Sequence, residues 1–246
     1  MMPIDFLAFG AHPDDIELGC GGTLIKLARQ GYRTAAVTLT RGESGTRGSV
    51  DIRRQEFDRA AEIMRTAVHR MLDMPDGAIA ETHENKLKLV RVIRELQPRL
   101  VATVHWEARH PDHVRTSHLV REASMIAGFK SLDTGQPRWR PFRVLYFPER
   151  YEVTPSFIVD ISETFDEKMR AVRAHESQFH GVNMAKYGEA KTSITRPEFL
   201  EFIELRARKW GMAIGGRYGE AFVVRETLRL DDPVAAFGEW CAEAIP

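Results

Sequence analysis

Two short clusters of histidine and aspartate stand out, because each follows a run of apolar residues. The first, His12-Pro13-Asp14-Asp15, comes after the apolar run 4–10. The second, His110-Pro111-Asp112-His113, comes after the run 100–104. Two histidines and a carboxylate around an open position form the usual ligand set of a hydrolytic zinc site. The clusters therefore indicate metal-assisted hydrolysis.

Within the first cluster, the spacing separates two roles. His12 and Asp15 are three residues apart across a turn, so both can face one point. Asp14 and Asp15 are adjacent and must diverge, so one carboxylate can bind a metal while the other faces the activated water. The structural alternative is that Asp14 or Asp15 caps the following helix and His12 is simply packed.

The second cluster repeats the three-residue spacing with His110 and His113. One of these two histidines would complete a ligand set with His12 and Asp15. The alternative is that this segment begins a helix with Asp112 as its N-cap. Since capping requires no histidine on either side, the metal site is the favoured interpretation.

The predicted elements explain how the clusters could meet. Strands are predicted at 4–10, 34–40, 69–74 and 100–105, alternating with helices at 23–30, 51–65, 84–96 and from about 112. Further strands are predicted at 144–147, 157–161 and 221–225, with helices at 165–178 and 197–212. The alternation predicts an α/β, Rossmann-like, doubly wound and mostly parallel sheet. We expect one domain over 1–246 with a less regular C-terminal cap from about 142, and both clusters at the carboxyl edge of the sheet.

A dinucleotide site is the first competing interpretation of the strand, glycine loop and helix at the N-terminus. Gly19, Gly21 and Gly22 do not give the G-x-G-x-x-G spacing, and no P-loop motif occurs. Asp14 and Asp15 would also repel a phosphate at that helix start. A phosphoesterase would usually require two metals, and the sequence offers convincing ligands for one.

The composition disfavours several classes of binding partner and of protein. The 246 residues carry 35 Lys+Arg and 35 Asp+Glu, a net charge of zero, so we expect neither nucleic acid nor membrane as a partner. Two cysteines cannot build a disulfide framework. With no apolar run of about 20 residues, the sequence predicts a soluble cytoplasmic protein.

The paired clusters, with Glu17 and Gly21-Gly22-Thr23, resemble the LmbE-like family, the PIG-L-type zinc-dependent N-acetylglucosaminyl deacetylases. The resemblance implies that His12, Asp15 and His113 bind zinc and that Asp14 is the general base. It makes His110 the non-ligating histidine beside the metal, with Asp112 orienting it. It leaves open whether Asp14 or His110 protonates the leaving amine.

Within that family, the sequence is most similar to the bacillithiol-pathway GlcNAc-malate deacetylases. The resemblance implies that Arg53 and Arg109 bind the substrate. It also implies that Tyr218, in the segment Tyr218-Gly219-Glu220-Ala221-Phe222, meets the oxyanion. Ala108 stands where the mycothiol branch has tyrosine, which disfavours a mycothiol substrate.

The resemblance thus implies removal of acetyl from an N-acetylglucosamine moiety of a small glycoside. It implies one Zn²⁺ per chain, although iron(II) suits the same ligands, and a homo-oligomer, either trimer or hexamer. One alternative is a deacylase of another N-acyl amine, such as an antibiotic intermediate. Another is a non-catalytic binding module with a Rossmann-like sheet, which would need the ligands but not the spare carboxylate of Asp14.

Overall fold

Five parallel strands form the central sheet of the computed structural model, which describes residues 2–181, 184–187 and 191–237. The strands are β1 (Phe6–Gly10), β2 (Thr34–Thr38), β3 (Val68–Met71), β4 (Leu100–Val104) and β5 (Arg143–Phe147), in the order β3-β2-β1-β4-β5. Strands β1 and β2 are buried along their whole length. Continuous apolar strands are typical of a parallel sheet covered on both faces. The predicted α/β class is confirmed.

Helices cover both faces. They are α1 (Asp15–Arg29), α2 (Val50–Met64), α3 (His83–Leu96), α4 (Pro111–Ile126), α5 (Phe165–Arg173), α6 (Pro197–Met212) and α7 (Pro233–Phe237), with a 3₁₀ turn at Met184–Tyr187. Leu7 and Phe9 of β1 pack with apolar residues of α3 and α4, whereas Phe6 and Ala8 pack with α1 and α2. The alternation of side chains along each strand therefore divides the core into two layers.

The C-terminal part adds a two-stranded antiparallel sheet, β6 (Phe157–Asp160) and β7 (Gly219–Phe222). A bridge between Tyr146 and Val223 ties this sheet to β5. Helices α5 and α6 pack here around their own apolar cluster, which includes Phe165, Ile203 and Tyr218. The segment from about residue 142, predicted to be a cap, first adds β5 to the central sheet and then encloses a small core of its own.

Helix α1 begins eight residues before the predicted start at residue 23. The glycines that were expected to form a loop lie inside the helix and pack against its neighbours. A Cβ on Gly19 would lie 2.1 Å from the Phe147 ring, and one on Gly22 would lie 2.9 Å from Ile161. Close approach of the helix to its neighbours requires glycine at both positions. Within the described residues, no helix combines the length and apolarity needed to cross a bilayer.

Candidate metal centre and active site

The two histidine and aspartate clusters meet because β1 and β4 are neighbours in the sheet and both run towards the same edge. His12 Nδ1 lies 3.1 Å from His113 Nε2 and 3.5 Å from Asp15 Oδ2. His113 Nε2 lies 3.3 Å from Asp15 Oδ1. Tetrahedral zinc with bonds of about 2.0–2.2 Å separates its ligand atoms by about 3.3–3.6 Å. The two carboxylate contacts, made by different oxygens of Asp15, fall in this range, and the contact between the two histidines is slightly shorter, so the three groups come close to the spacing of a metal ligand set.

The outer nitrogens of both histidines face carboxylates. His12 Nε2 lies 3.1 Å from Asp76 Oδ1 and 3.5 Å from Asp112 Oδ2, and His113 Nδ1 contacts Glu149. A carboxylate on the outer nitrogen keeps the proton there and leaves the inner nitrogen as a lone pair. Two such lone pairs and the Asp15 carboxylate thus converge on one point, where a cation relieves their repulsion.

The charge around this point favours a cation as well. Burial disfavours a charged His113, yet the carboxylates of Asp15 and Glu149 raise its pKa to about 10. Burial acts on His12 in the same way, and contacts with Asp112, Asp15 and Asp76 nevertheless raise its pKa well above the ordinary value. A divalent ion can take the place of these protons, because metal binding releases protons from its ligands. The donor set therefore fits a zinc ion.

Asp14 occupies the N-cap position of α1 with φ 131° and ψ −24°, a conformation that costs energy for a residue with a side chain. Its carboxylate makes no capping hydrogen bond. The interpretation of Asp14 as a helix cap is therefore wrong. Asp15 Oδ2 instead accepts the His12 N–H at 2.8 Å, which closes the turn between them.

The environment of the Asp14 carboxylate suits a base. Burial raises its pKa to about 6, Arg53 opposes that rise, and Asp15 adds to it. The nearest approach to Arg53 is 3.7 Å, between Asp14 Oδ2 and Arg53 Nη2. The same Nη2 donates to the Pro13 carbonyl at 2.7 Å. Arg53 therefore holds the turn that carries Asp14 and also lines the cleft in front of it.

His110 is the N-cap of α4, and its Nδ1 accepts the backbone N–H of Asp112 at 3.2 Å. The neutral ring therefore carries its proton on Nε2. Burial lowers the pKa of His110, and the charges of His12 and His113 lower it further. The ring centroid lies 4.9 Å from that of His12 and 5.2 Å from that of His113, so His110 stands beside the ligand set.

The Asp112 side chain does not orient His110, contrary to expectation. Its carboxylate accepts the N–H groups of Gly77, at 2.7 Å, and Ile79, at 3.2 Å, and faces His12 Nε2. The reason is the start of α4, which turns Asp112 inward under the sheet edge, where its side chain is fully buried. Asp112 reaches His110 through its backbone N–H.

Tyr218 lies outside the cleft, so its expected contact with an oxyanion is wrong. Its ring stacks on Phe165, with centroids 3.7 Å apart, and its hydroxyl donates to Glu204 at 3.1 Å. A Cβ on Gly219 would lie 2.7 Å from Ile158 and 2.9 Å from the Gly211 nitrogen. This tight packing of β7 against β6 and α6 fixes the Tyr218 segment in the C-terminal core.

A cleft of about 450 Å³ opens over the ligand set. Arg109 lies on its exposed rim near Arg150, whose pKa is lowered by burial and by the charge of Arg109. Apolar side chains of the lining come from α6 and the segment before it, namely Ile194, Phe199, Phe202 and Ile203. The cleft thus joins a polar, acidic floor to a rim that is basic and partly apolar.

Sequence reasoning missed the two carboxylates that contact the outer nitrogens of His12 and His113, namely Asp76 and Glu149. Asp76 follows β3, and Glu149 follows β5. Asp76 also accepts the backbone N–H of Ser44 at 2.9 Å, which ties the loop 41–48 to His12. Their position after parallel strands is the signal that could have found them, since those strand ends share one edge.

Similarity to known proteins agrees with this geometry. Residues 7–124 match the family described as PIG-L: GlcNAc-PI de-N-acetylase. The chain is 34% identical to the diacetylchitobiose deacetylase of Thermococcus kodakarensis, covering 70% of this chain and 69% of that protein. It is 30% identical to the "Probable N-acetyl-alpha-D-glucosaminyl L-malate deacetylase 2" of Bacillus anthracis, covering 68% and 78%. It is also 29% identical to the 4-oxalmesaconate hydratase of Pseudomonas putida, covering 71% and 74%.

Solved structures show the same fold. The conserved protein TT1542 from Thermus thermophilus superposes with a TM-score of 0.83 at 34% identity, over 93% of this chain and 98% of that one. The N,N'-diacetylchitobiose deacetylase from Pyrococcus horikoshii, complexed with its inhibitor MPG, gives 0.75 at 27% identity, over 89% and 83%. The chain therefore belongs to the PIG-L family of deacetylases.

Proposed function

We propose that this chain is a zinc-dependent deacetylase acting on an N-acetylglucosamine moiety of a small glycoside, with His12, Asp15 and His113 as ligands to one zinc ion. The observation that carries the proposal is the convergence of three lone-pair groups beside Asp14, a carboxylate that neither caps a helix nor joins the ligand set. A binding module would need the ligands but no adjacent base. Iron(II) would suit the same ligands.

The ion would supply Lewis acidity, acidifying a water molecule and polarising the acyl oxygen. Asp14 takes the proton of the attacking water, because a carboxylate with a pKa near 6 is ionised at neutral pH and still basic enough to accept it. The water oxygen bonds to the acyl carbon and the C–N bond then breaks, giving acetate and an amine. We assign the proton delivered to that amine to Asp14.

His110 donates to the oxyanion through Nε2–H in its neutral form, since the Asp112 N–H occupies Nδ1. Donation by the neutral ring fits the lowered pKa of His110. Tyr218 has no role, because its hydroxyl is bound to Glu204. His110→Gln would keep a donor in place of the ring, so a partial loss of kcat is expected there and a larger loss in His110→Ala.

The finer proposal is that the substrate is GlcNAc-malate, as in bacillithiol biosynthesis. The Bacillus anthracis relative supports it, as does the basic rim formed by Arg109 and Arg150, which would attract the malate carboxylates. We expect Arg53 to contribute less to substrate binding than these two arginines, because its Nη2 already contacts the Pro13 carbonyl and the Asp14 carboxylate. A trimeric or hexameric assembly stays a prediction that light scattering of the purified chain can test.

The test is acetate release by the purified protein from GlcNAc-malate, plain N-acetylglucosamine, diacetylchitobiose and a mycothiol-type precursor. Each assay is repeated after chelation and after return of zinc. We expect metal-dependent turnover that is fastest with the malate conjugate. Turnover of another of these sugars would overturn the malate assignment and keep the deacetylase. No acetate release from any of the four sugars, by protein shown to hold one zinc ion, would overturn the deacetylase proposal itself.

A further inference from the structure

Helix α1 is broken just after the residues that form the metal centre. Cys20 has φ −142° and ψ 19°, outside helical geometry. In a regular helix, the Leu18 carbonyl would accept the Gly22 N–H four residues on. Here the Leu18 carbonyl accepts Arg206 Nη2 at 2.8 Å and Lys168 Nζ at 3.0 Å, and the Gly22 N–H donates to Glu220 Oε1 at 3.0 Å. Side chains from α5, α6 and β7 thus hold both sides of the break.

Arg206 also holds a second segment. Its Nη1 donates to the backbone carbonyl of Glu149 and lies 3.4 Å from the Pro148 carbonyl. The Glu149 side chain contacts His113 Nδ1, so this backbone carries the group that orients His113. The planar fork of a guanidinium can serve several carbonyls at fixed angles, whereas an ammonium group cannot reproduce that geometry.

One side chain therefore connects the two supports of the metal centre. Leu18 lies in the first turn of α1, three residues after Asp15, and Glu149 lies two residues after the end of β5. The Arg206 guanidinium also lies close enough to Glu149 for their opposite charges to attract each other. Both contacts come from α6, which is outside the part of the chain that matches the family model, residues 7–124.

We propose that Arg206 is a positioning residue of the metal centre. By binding the Leu18 and Glu149 carbonyls together, it keeps Glu149 against His113 and so sets the zinc affinity of the chain. The inference rests on the proposed ligands His12, Asp15 and His113. Loss of a group that orients a metal ligand usually costs about 10–100-fold in metal affinity or activity.

The experiment is a zinc titration against a chromogenic chelator, read as the dissociation constant. We expect Arg206→Met to raise this constant by about 10–100-fold. The matched control is Arg208→Met on the same helix, because Arg208 pairs with Glu204 on the surface and should leave the constant unchanged. Should Arg206→Met fold poorly, Arg206→Lys keeps the charge without the fork and should show a smaller loss of the same sign.

A double-mutant cycle shows whether Arg206 acts through Glu149. Glu149→Gln alone should weaken zinc binding, and adding Arg206→Met should weaken it little further. The visible spectrum of the cobalt-loaded protein should change in both single variants, since it reports the ligand geometry. An unchanged zinc constant in a folded Arg206→Met protein, or fully additive losses, would overturn the inference. A wild-type chain that binds no zinc would overturn the proposed function as well.

Discussion

Replacing Asp14 by asparagine separates catalysis from metal binding. Asparagine has nearly the same size and tolerates a positive φ, so the strained turn should survive the change. No capping bond is lost, because the Asp14 carboxylate makes none. We therefore expect Asp14→Asn to fold and to keep one zinc ion per chain.

The expected loss of rate follows from the protonation of Asp14. With its pKa raised by burial to about 6, the carboxylate is largely ionised at pH 7.5, so nearly all of its contribution as a base is present there. General base catalysis contributes about 10²–10⁴-fold, equal to about 2.7–5.5 kcal/mol. An amide cannot accept the proton, and kcat should fall within that range.

The assay is acetate release at pH 7.5 together with the zinc content of the same sample. A matched variant, His113→Ala, should lose both zinc and turnover, because it removes a proposed ligand. Near-normal kcat in Asp14→Asn with a full complement of zinc would refute the base assignment. Loss of zinc from Asp14→Asn would show that Asp14 belongs to the ligand set.

Three further changes test the surroundings of the site. The charge of Arg53 lowers the pKa of Asp14, so Arg53→Met should raise that pKa and move the acid limb of kcat/KM to higher pH, while Arg53→Lys should move it less. Tyr218→Phe should leave kcat unchanged and cost about 1 kcal/mol of unfolding free energy or less, because it removes one hydrogen bond of a residue that does not line the cleft; a large fall in kcat would contradict the structure. Lys168→Met should lower the unfolding free energy in urea by about 3–5 kcal/mol, because it leaves the buried Glu220 carboxylate without its cation; an unchanged urea midpoint would disprove the role of that pair.

The meeting of the two clusters could be predicted from the sequence because it depends on local pattern and one topological rule. Each cluster follows an apolar strand, and parallel strands end at the same edge. The structure makes β1 and β4 neighbours, which brings His12 within 3.1 Å of His113 although 101 residues separate them. The three-residue spacing within each cluster then predicted which side chains could face the same point.

The supports of the ligands could not be predicted in the same way. Asp76 and Glu149 are single acidic residues in loops, with no motif beside them, and they resemble surface carboxylates until the sheet order is known. Their strands, β3 and β5, lie at opposite edges of the sheet. The contacts of Arg206 are harder still to predict, because they join a side chain of α6 to a carbonyl of α1 that lies 188 positions earlier in the chain.

The structure places Tyr218 away from the position that the resemblance implied for it. The sequence segment resembles the family pattern apart from Gly219, and that glycine allows β7 to pack directly against α6. The packing holds the Tyr218 ring on Phe165, within the C-terminal core and away from the cleft. The resemblance between short segments identified the tyrosine but did not predict where its side chain points.

The most direct test of a hydrolytic metal centre is to titrate zinc into the chelated protein while measuring acetate release from GlcNAc-malate and diacetylchitobiose. We predict no turnover in protein whose metal has been removed by a chelator. The rate of acetate release should then rise linearly up to one equivalent of zinc per chain, and His113→Ala should stay inactive throughout. Full acetate release by the chelated protein, or by His113→Ala, would contradict a hydrolytic metal centre at His12, Asp15 and His113.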